Sequence, residues 1–213
     1  AQMPGGDPGA YFTSGTTGLI PVLENGEVVL RAGYWHAITL ELNGGTVNSG
    51  NVSGYVQGQG VTLPTDVTRH GYDFGGWYEN QDCTGNAVTA VGADATGDKT
   101  FYAKWEPATY KVTLDPNGGT IAEGENITSY TYGETKELPS SLDTTRTGYI
   151  FMGWYDAGGN RVREISDTDY GDKAFTAQWV PITYGVEFNA NGGRGWMIQQ
   201  VFTYDREGYL AYN

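Results

Sequence analysis

Cysteine is almost absent from this sequence, which has one, Cys83, among 213 residues. A single thiol cannot close an internal disulfide, so a disulfide-stapled scaffold is excluded. Cys83 lies in the polar stretch NQDCTGN, where no His/Asp arrangement marks an activated nucleophile. We therefore interpret Cys83 as a bystander thiol.

Positive charge is also scarce, with 12 Lys and Arg against 25 Asp and Glu and a formal net charge of −13. Nucleic-acid-binding proteins need clustered Lys and Arg against the phosphate backbone, so we expect no nucleic-acid partner. Long-range repulsion disfavours heparin-like polyanions for the same reason. The sequence has no run of 18 apolar residues, so we also expect no membrane insertion in this fragment.

Groups that could carry out catalysis are few. His36 and His70 are the only histidines, and neither is repeated at the matching position further along the chain. The stretch DTDYGD at 167–172 resembles the start of a calcium loop but has Gln178 where the bidentate Glu would stand. We interpret it as a turn that enters a strand. The sequence therefore predicts that the protein is not an enzyme and binds no cofactor or metal.

Glycine and large rings are abundant, with 33 Gly and 14% aromatic residues. This composition is rich in turns and poor in the residues that build long helices. Segments such as AITLEL (37–42) and KVTL (111–114) alternate apolar and polar side chains, which is typical of half-buried strands. The best helical periodicity lies in two short segments, after Leu63 and after Leu138. The composition and these patterns predict mostly β structure.

The same sequence features recur at a fixed interval. Asn43, Asn117 and Asn191 each begin an Asn-Gly-Gly turn, and they are spaced 74 residues apart. FYAKWEPATY at 101–110 returns with the same offset as FTAQWVPITY at 175–184, and GYDFGGWY at 71–78 returns as GYIFMGWY at 148–155. A fixed period with variable loops indicates tandem modules. We predict an N-terminal segment at 1–35, complete repeats at 36–107 and 108–181, and a partial third repeat at 182–213.

The two complete copies share an ordered set of residues that resembles the internalin-B-type B repeat, also called the Listeria–Bacteroides repeat. The second copy carries it through Tyr110, Val112, Leu114, Asn117, Gly118, Gly119, Leu138, Pro139, Arg146, Gly148, Tyr149, Phe151, Gly153, Trp154, Tyr155, Phe175, Ala177 and Trp179. The first copy matches through Asn43, Gly44, Gly45, Leu63, Pro64, Arg69, Gly71, Tyr72, Phe74, Gly76, Trp77, Tyr78, Phe101, Ala103 and Trp105. The third matches only through Tyr184, Val186, Phe188, Asn191, Gly192, Gly193, Phe202 and Tyr204.

This resemblance implies tandem small β-grasp-like, ubiquitin-related modules of a bacterial surface or secreted protein, located outside the cell. It implies no catalytic activity. The first copy departs from the pattern at its start, where WHAITL replaces the usual Tyr-x-Val.

The repeated Trp-Tyr pairs, at 77–78 and 154–155, have two interpretations. They could be exposed platforms on which sugars stack, or core residues of a module too small to fold without large side chains. A domain of about 70 residues buries only about 60% of its unfolded surface, so each buried ring counts heavily. Because the pair is copied with the repeating frame, we interpret Trp77 and Trp154 as core.

Two further tryptophans have no repeat partner, and these are our candidate ligand-binding residues. Trp35 stands at the entry to the first copy, and Trp196 follows the third Asn-Gly-Gly turn. The alternative is that both pack between neighbouring modules.

Three functions stay open. The first is a non-catalytic extracellular array of spacer or interaction modules. The second is an adhesin that binds a host or bacterial surface protein or glycan through exposed aromatics. The third is an accessory domain of a secreted enzyme. Residues 16–35 weakly resemble the tail of a preceding repeat, so the chain could also associate with itself head to tail. The alternative is that each end packs on the adjoining module.

Overall fold

The structure is a computed structural model that describes residues 17–195 and 197–210. Those residues form 20 β-strands, many of them short, and no helix. The prediction of mostly β structure is confirmed. The chain divides into two compact units, with the boundary between Ala108 and Thr109. Each unit contains one complete repeat.

The first unit contains nine strands. They are β1 (Thr17–Glu24), β2 (Glu27–Glu41), β3 (Thr46–Val47), β4 (Gly54–Val56), β5 (Val61–Thr62), β6 (Val67–Thr68), β7 (Tyr72–Tyr78), β8 (Ala90–Val91) and β9 (Lys99–Pro107). The main sheet has the order β1-β2-β9-β7, and β4 also pairs with β2. Two short ladders, β3-β6 and β5-β8, complete the unit.

The second unit contains the other eleven. They are β10 (Thr109–Asp115), β11 (Thr120–Ile121), β12 (Ser129–Thr131), β13 (Lys136–Glu137), β14 (Thr144–Thr145), β15 (Tyr149–Tyr155), β16 (Arg161–Val162), β17 (Glu164–Ile165), β18 (Lys173–Pro181), β19 (Thr183–Val186) and β20 (Gln200–Thr203). The main sheet has the order β12-β10-β18-β15-β16, with separate ladders β11-β14, β13-β17 and β19-β20.

The two repeats share one strand arrangement. In each, the first strand of the repeat (β2 or β10) pairs in parallel with its last strand (β9 or β18). This places Leu40 opposite Phe101 and Leu114 opposite Phe175. The strand that contains the Trp-Tyr pair (β7 or β15), called the aromatic strand below, pairs antiparallel with the other side of that last strand. Its register shifts at the glycine of the Phe-x-Gly-Trp sequence, where Gly153 has φ 122°. That glycine is repeated because a β-bulge there needs a backbone conformation that other residues rarely adopt.

The first two Asn-Gly-Gly turns follow the first strand of each complete repeat. Asn43 and Asn117 have φ of 48° and 47°, within the left-handed region that asparagine tolerates. Their side-chain amides donate hydrogen bonds to the carbonyls of Ala103 (2.8 Å) and Ala177 (3.1 Å) on the last strand. The turn therefore also ties the first strand to the last strand of the same repeat.

A Gly-Asp-Lys sequence occurs at 97–99 and again at 171–173, and it too bonds to the sheet of its own repeat. The Tyr130 hydroxyl donates to the Gly171 carbonyl at 2.8 Å, and the Asp172 carboxylate accepts from the backbone N–H of Lys111 at 2.8 Å. Burial raises the pKa of Tyr130 to about 12, since a phenolate there would lose its water. The first repeat makes the matching bonds from Tyr55 and Ala37.

Each unit has its own hydrophobic core. In the first it is built from Ile38, Tyr55, Leu63, Val67, Trp77, Val91, Phe101 and Ala103. In the second it is built from Val112, Tyr130, Leu138, Trp154, Ile165, Phe175 and Ala177. The two sets occupy matching repeat positions almost throughout, so the repeating frame is mainly a core pattern.

The two segments with helical periodicity do not form helices. Each begins with a proline, Pro64 or Pro139, and a short strand follows. In the second repeat the Asp143 carboxylate accepts hydrogen bonds from the N–H and hydroxyl of Ser140. This closes a single turn over residues 140–144, too short for a helix to propagate.

At the N-terminal end, β1 and β2 form a hairpin around Asn25 and Gly26, both with positive φ. β2 continues without a break into the first strand of the first repeat. Residues 1–16 lie outside the described part of the chain. At the other end, β19 and β20 form a hairpin within the second unit. Contacts with the second repeat order that hairpin, as the packing alternative expects for this end, and head-to-tail association stays a prediction.

Candidate functional site

The repeated tryptophans of the aromatic strand are buried. Trp77 and Trp154 are each 2% exposed. Their indole N–H groups donate to the carbonyls of Pro64 (2.7 Å) and Pro139 (2.8 Å). With both the ring and its polar atom occupied, neither residue offers a face to a sugar. The core interpretation is confirmed for both.

The last-strand tryptophans cover the second glycine of the Asn-Gly-Gly turn. A Cβ built on Gly45 or Gly119 would overlap the ring of Trp105 or Trp179. The two indole N–H groups donate to the carbonyls of Leu42 (2.8 Å) and Pro116 (2.9 Å). These half-buried rings therefore also hold the turn.

Trp35 is packed rather than open. Its ring lies on Gly54 of β4, close enough that a Cβ there would overlap it, and the side chain is 7% exposed. The neighbouring His36 is also buried, against the Tyr55 ring and within 3.3 Å of the Gln57 side-chain oxygen. A ligand at Trp35 needs an exposed ring face, which the structure does not show. Trp196, the other candidate, lies outside the described residues.

The acidic stretch at 167–172 holds the chain at the entry to β18. Asp169 accepts from the Ser166 N–H at 2.8 Å and pairs with Lys173 at 2.7 Å. The Lys173 hydrogen bond lowers the pKa of Asp169. These are the bonds of a strand-entry turn. Over residues 17–195 and 197–210, no group of three or more His, Cys, Asp or Glu is placed to hold a metal ion.

The second repeat has a groove of about 450 Å³ beside the aromatic strand. Apolar side chains line part of it, among them Leu138, Phe151 and Val162. Two arginines, Arg161 and Arg163, line it together with Glu137 and Glu164, and all four charged residues are exposed.

The two guanidinium groups are available to a ligand. In the described part of the chain, neither Arg161 nor Arg163 has an ion pair or a side-chain hydrogen bond. Arg161 lies directly over Gly153, where any Cβ would overlap its Nε. The glycine of the bulge therefore leaves space for the arginine. An unpaired guanidinium beside apolar surface suits a carboxylate on an apolar body.

This charged groove is specific to the second repeat. The first repeat has Thr62, Ala87, Thr89 and Ala90 at the four positions where the second has Glu137, Arg161, Arg163 and Glu164. None of the four is charged. The shared core with unequal grooves is what one expects if the fold is common and the surface has specialised.

Sequence reasoning missed these two arginines because it looked for residues that the repeats share. The signal was in the differences. Arg161 and Arg163 stand 74 residues after Ala87 and Thr89, in a chain with few cations. A comparison of the two copies position by position would have found them.

The chain belongs to the Listeria-Bacteroides repeat domain family, which matches residues 36–104 and 110–178, more than half of its length. Both matches lie inside the repeats expected at 36–107 and 108–181. No solved structure gives a significant match to the chain.

Similar proteins occur in Evansella cellulosilytica and Listeria monocytogenes. A protein described as a Gly-rich membrane protein of Evansella cellulosilytica is 32% identical over 161 residues, covering 74% of this chain and 18% of its own length. A second membrane protein of that organism is 29% identical over 182 residues, covering 83% and 26%. Internalin H of Listeria monocytogenes is 34% identical over 105 residues, covering 47% and 18%. The chain thus spans about a quarter or less of these relatives. No helix among the described residues is long and apolar enough to cross a membrane.

Proposed function

We propose that this chain is a non-catalytic extracellular repeat array of a bacterial surface or secreted protein, acting as spacer modules. The observation that carries the proposal is where the repeated residues lie, which is in the cores and turns of their own repeats. Trp77, Trp154, Phe101 and Ala177 are all buried, and the Asn-Gly-Gly and Gly-Asp-Lys sequences bond to their own sheets. What is copied from repeat to repeat is scaffold.

The module itself we propose to be β-grasp-like. In support, the first and last strands of each repeat pair in parallel at the centre of the main sheet. A module that folds around its own core can be repeated in tandem without changes to its sequence pattern, since the stability of each copy depends only on that copy and its neighbours.

The extracellular location rests on the relatives and on composition. Two relatives are described as membrane proteins and a third is an internalin. A net charge of −13 favours solubility and opposes non-specific association with polyanions. Both properties suit a segment exposed outside the cell.

The charged groove supports a second candidate function, that of an adhesin. Arg161 and Arg163 offer two unpaired guanidinium groups beside an apolar floor. An acidic sugar, with a carboxylate on a compact ring, matches that combination better than a neutral sugar does. Because the first repeat has no charge at these positions, an adhesin of this kind would bind through the second repeat only.

One binding experiment separates the two functions. The purified chain is applied to an array of neutral and carboxylate-bearing glycans, beside an Arg161→Ala/Arg163→Ala double variant and an Arg194→Ala control. A spacer gives no saturable binding with any of them. An adhesin gives binding to carboxylate-bearing glycans that the double variant loses by about tenfold or more and the control retains, since charge-assisted bonds contribute about 1.5–3 kcal/mol each.

A further inference from the structure

The hairpin of the partial third repeat is fastened to the second repeat at one place. The N–H of Ile182 donates to the Gly148 carbonyl at 2.9 Å, and the N–H of Tyr204 donates to the Ile182 carbonyl at 2.8 Å. Several of the hairpin's apolar side chains are exposed, including Tyr184 at 48%, Val201 at 69% and Ile198 at 71%, and Tyr204 itself is 38% exposed. The hairpin therefore depends on few contacts.

Tyr204 makes the central contact. Its ring lies on the α-carbon of Gly148, where a Cβ would overlap three ring atoms. It meets the Tyr149 ring edge to face, with centroids 5.5 Å apart. On Tyr149 in turn lies the guanidinium of Arg146, 3.9 Å from the ring centroid. These contacts link a tyrosine of the third repeat to an Arg-x-Gly-Tyr sequence of the second.

Polar bonds fix the same arrangement. The Tyr149 hydroxyl donates to the Asp205 carboxylate at 3.1 Å. The Arg146 guanidinium donates to the Asn117 carbonyl at 3.2 Å, which holds it over the Tyr149 ring. Burial and the Asp205 hydrogen bond together raise the pKa of Tyr149. The second repeat itself therefore holds Arg146 over the Tyr149 ring, and the Tyr149 hydroxyl bonds to the hairpin segment.

The first repeat prepares the same surface. The guanidinium of Arg69 lies 3.9 Å from the Tyr72 ring centroid, the same distance as in the second repeat. The N–H of Ala108, the residue that follows the first repeat, donates to the Gly71 carbonyl at 3.0 Å. The Arg-x-Gly-Tyr arrangement is therefore a regular part of the complete module.

We propose that Arg146, Gly148 and Tyr149 form a docking socket for the first hairpin of the repeat that follows, and that Tyr204 is the side chain the socket receives. The socket holds the hairpin in one orientation on the second repeat. This deepens the proposed spacer function, on which its biological meaning rests, because a spacer with fixed joints transmits position and force between modules.

Hydrogen exchange on the whole chain tests the socket. Tyr204→Ala should speed amide exchange in β19 and β20 about tenfold or more and leave β15 and β18 unchanged, because the ring contacts hold the hairpin but not the core. Tyr149→Phe keeps the ring and removes the hydroxyl, so its effect should be smaller. Tyr209→Ala is the control, since Tyr209 is 89% exposed on the same segment.

A distance measurement gives a second readout. In a Cys83→Ser background, spin labels at exposed Glu134 and Glu187 should give a narrow distance distribution that Tyr204→Ala broadens. Unchanged exchange and an unchanged distribution in Tyr204→Ala would overturn the socket. Equal loosening of β15 and β18 would also overturn it, since Tyr204 would then belong to the core. These measurements report how the hairpin is held on the second repeat and not whether the chain binds a ligand, so they stand apart from the glycan experiment on the spacer function.

Discussion

Replacing Trp154 by alanine is expected to lower the free energy of unfolding of the second repeat by about 3–5 kcal/mol, the range for truncating a buried large aromatic. The side chain is 2% exposed and contacts the Phe151 ring edge to face. Its N–H is bonded to Pro139, so the truncation also leaves that carbonyl without its donor. A module of about 74 residues has only about 4–11 kcal/mol in total. Denaturant unfolding should show the second repeat close to unfolded.

Two comparisons make this result specific. Trp77→Ala should cost the first repeat a similar amount, since Trp77 has the same exposure and the same kind of hydrogen bond. Tyr209→Ala should leave the unfolding curve unchanged. If the curve of Trp154→Ala overlays the wild type, Trp154 is exposed in solution, and the sugar-platform interpretation returns.

Replacing Gly119 by alanine is expected to destabilise the second repeat by about 1–3 kcal/mol, the usual cost of overpacking. The added Cβ would overlap the Trp179 ring and come within 2.9 Å of the Thr145 carbonyl oxygen. Backbone atoms cannot move aside cheaply, and the indole is held by its bond to Pro116. Thermal unfolding should show the loss directly.

The matched control for this change is Gly158→Ala, in an exposed turn of the same repeat. There the nearest atoms are the ends of the Asn160 and Asp156 side chains, at 3.1 and 3.3 Å, and none of them belongs to the backbone or to a ring. We expect a loss of a few tenths of a kcal/mol at most. Equal stability of the two variants would show that Trp179 does not hold the turn.

The sequence predicted the modules, their strands and the burial of Trp77 and Trp154, because core positions repeat at fixed spacing. The alternation of apolar and polar residues alone could not predict the parallel pairing of the first and last strands, since period-2 alternation says nothing about which strands pair. The helical periodicity after Leu63 and Leu138 does not correspond to helices, because each segment has too few residues before the next short strand for a helix to propagate.

The candidate site was harder to predict than the fold. An unrepeated tryptophan was a reasonable ligand candidate, but the ring of Trp35 covers Gly54 on the paired strand β4, and only a known register brings the two together. Arg161 and Arg163 meet Leu138 and Pro139 in the groove through the β13-β17 ladder. Each strand of that ladder has only two residues, which is too short for an alternating sequence pattern to reveal it.

The measurement that tests the central claim most directly is replacement of the array. In a surface protein that carries residues 36–181, those residues are exchanged for an unrelated tandem domain of equal length. Display of an attached epitope tag and attachment to host cells are then both measured. Because we propose that the repeats act as scaffold, display and attachment should both be unchanged. Attachment that is lost while display is retained would contradict the proposal and show that the repeats themselves bind.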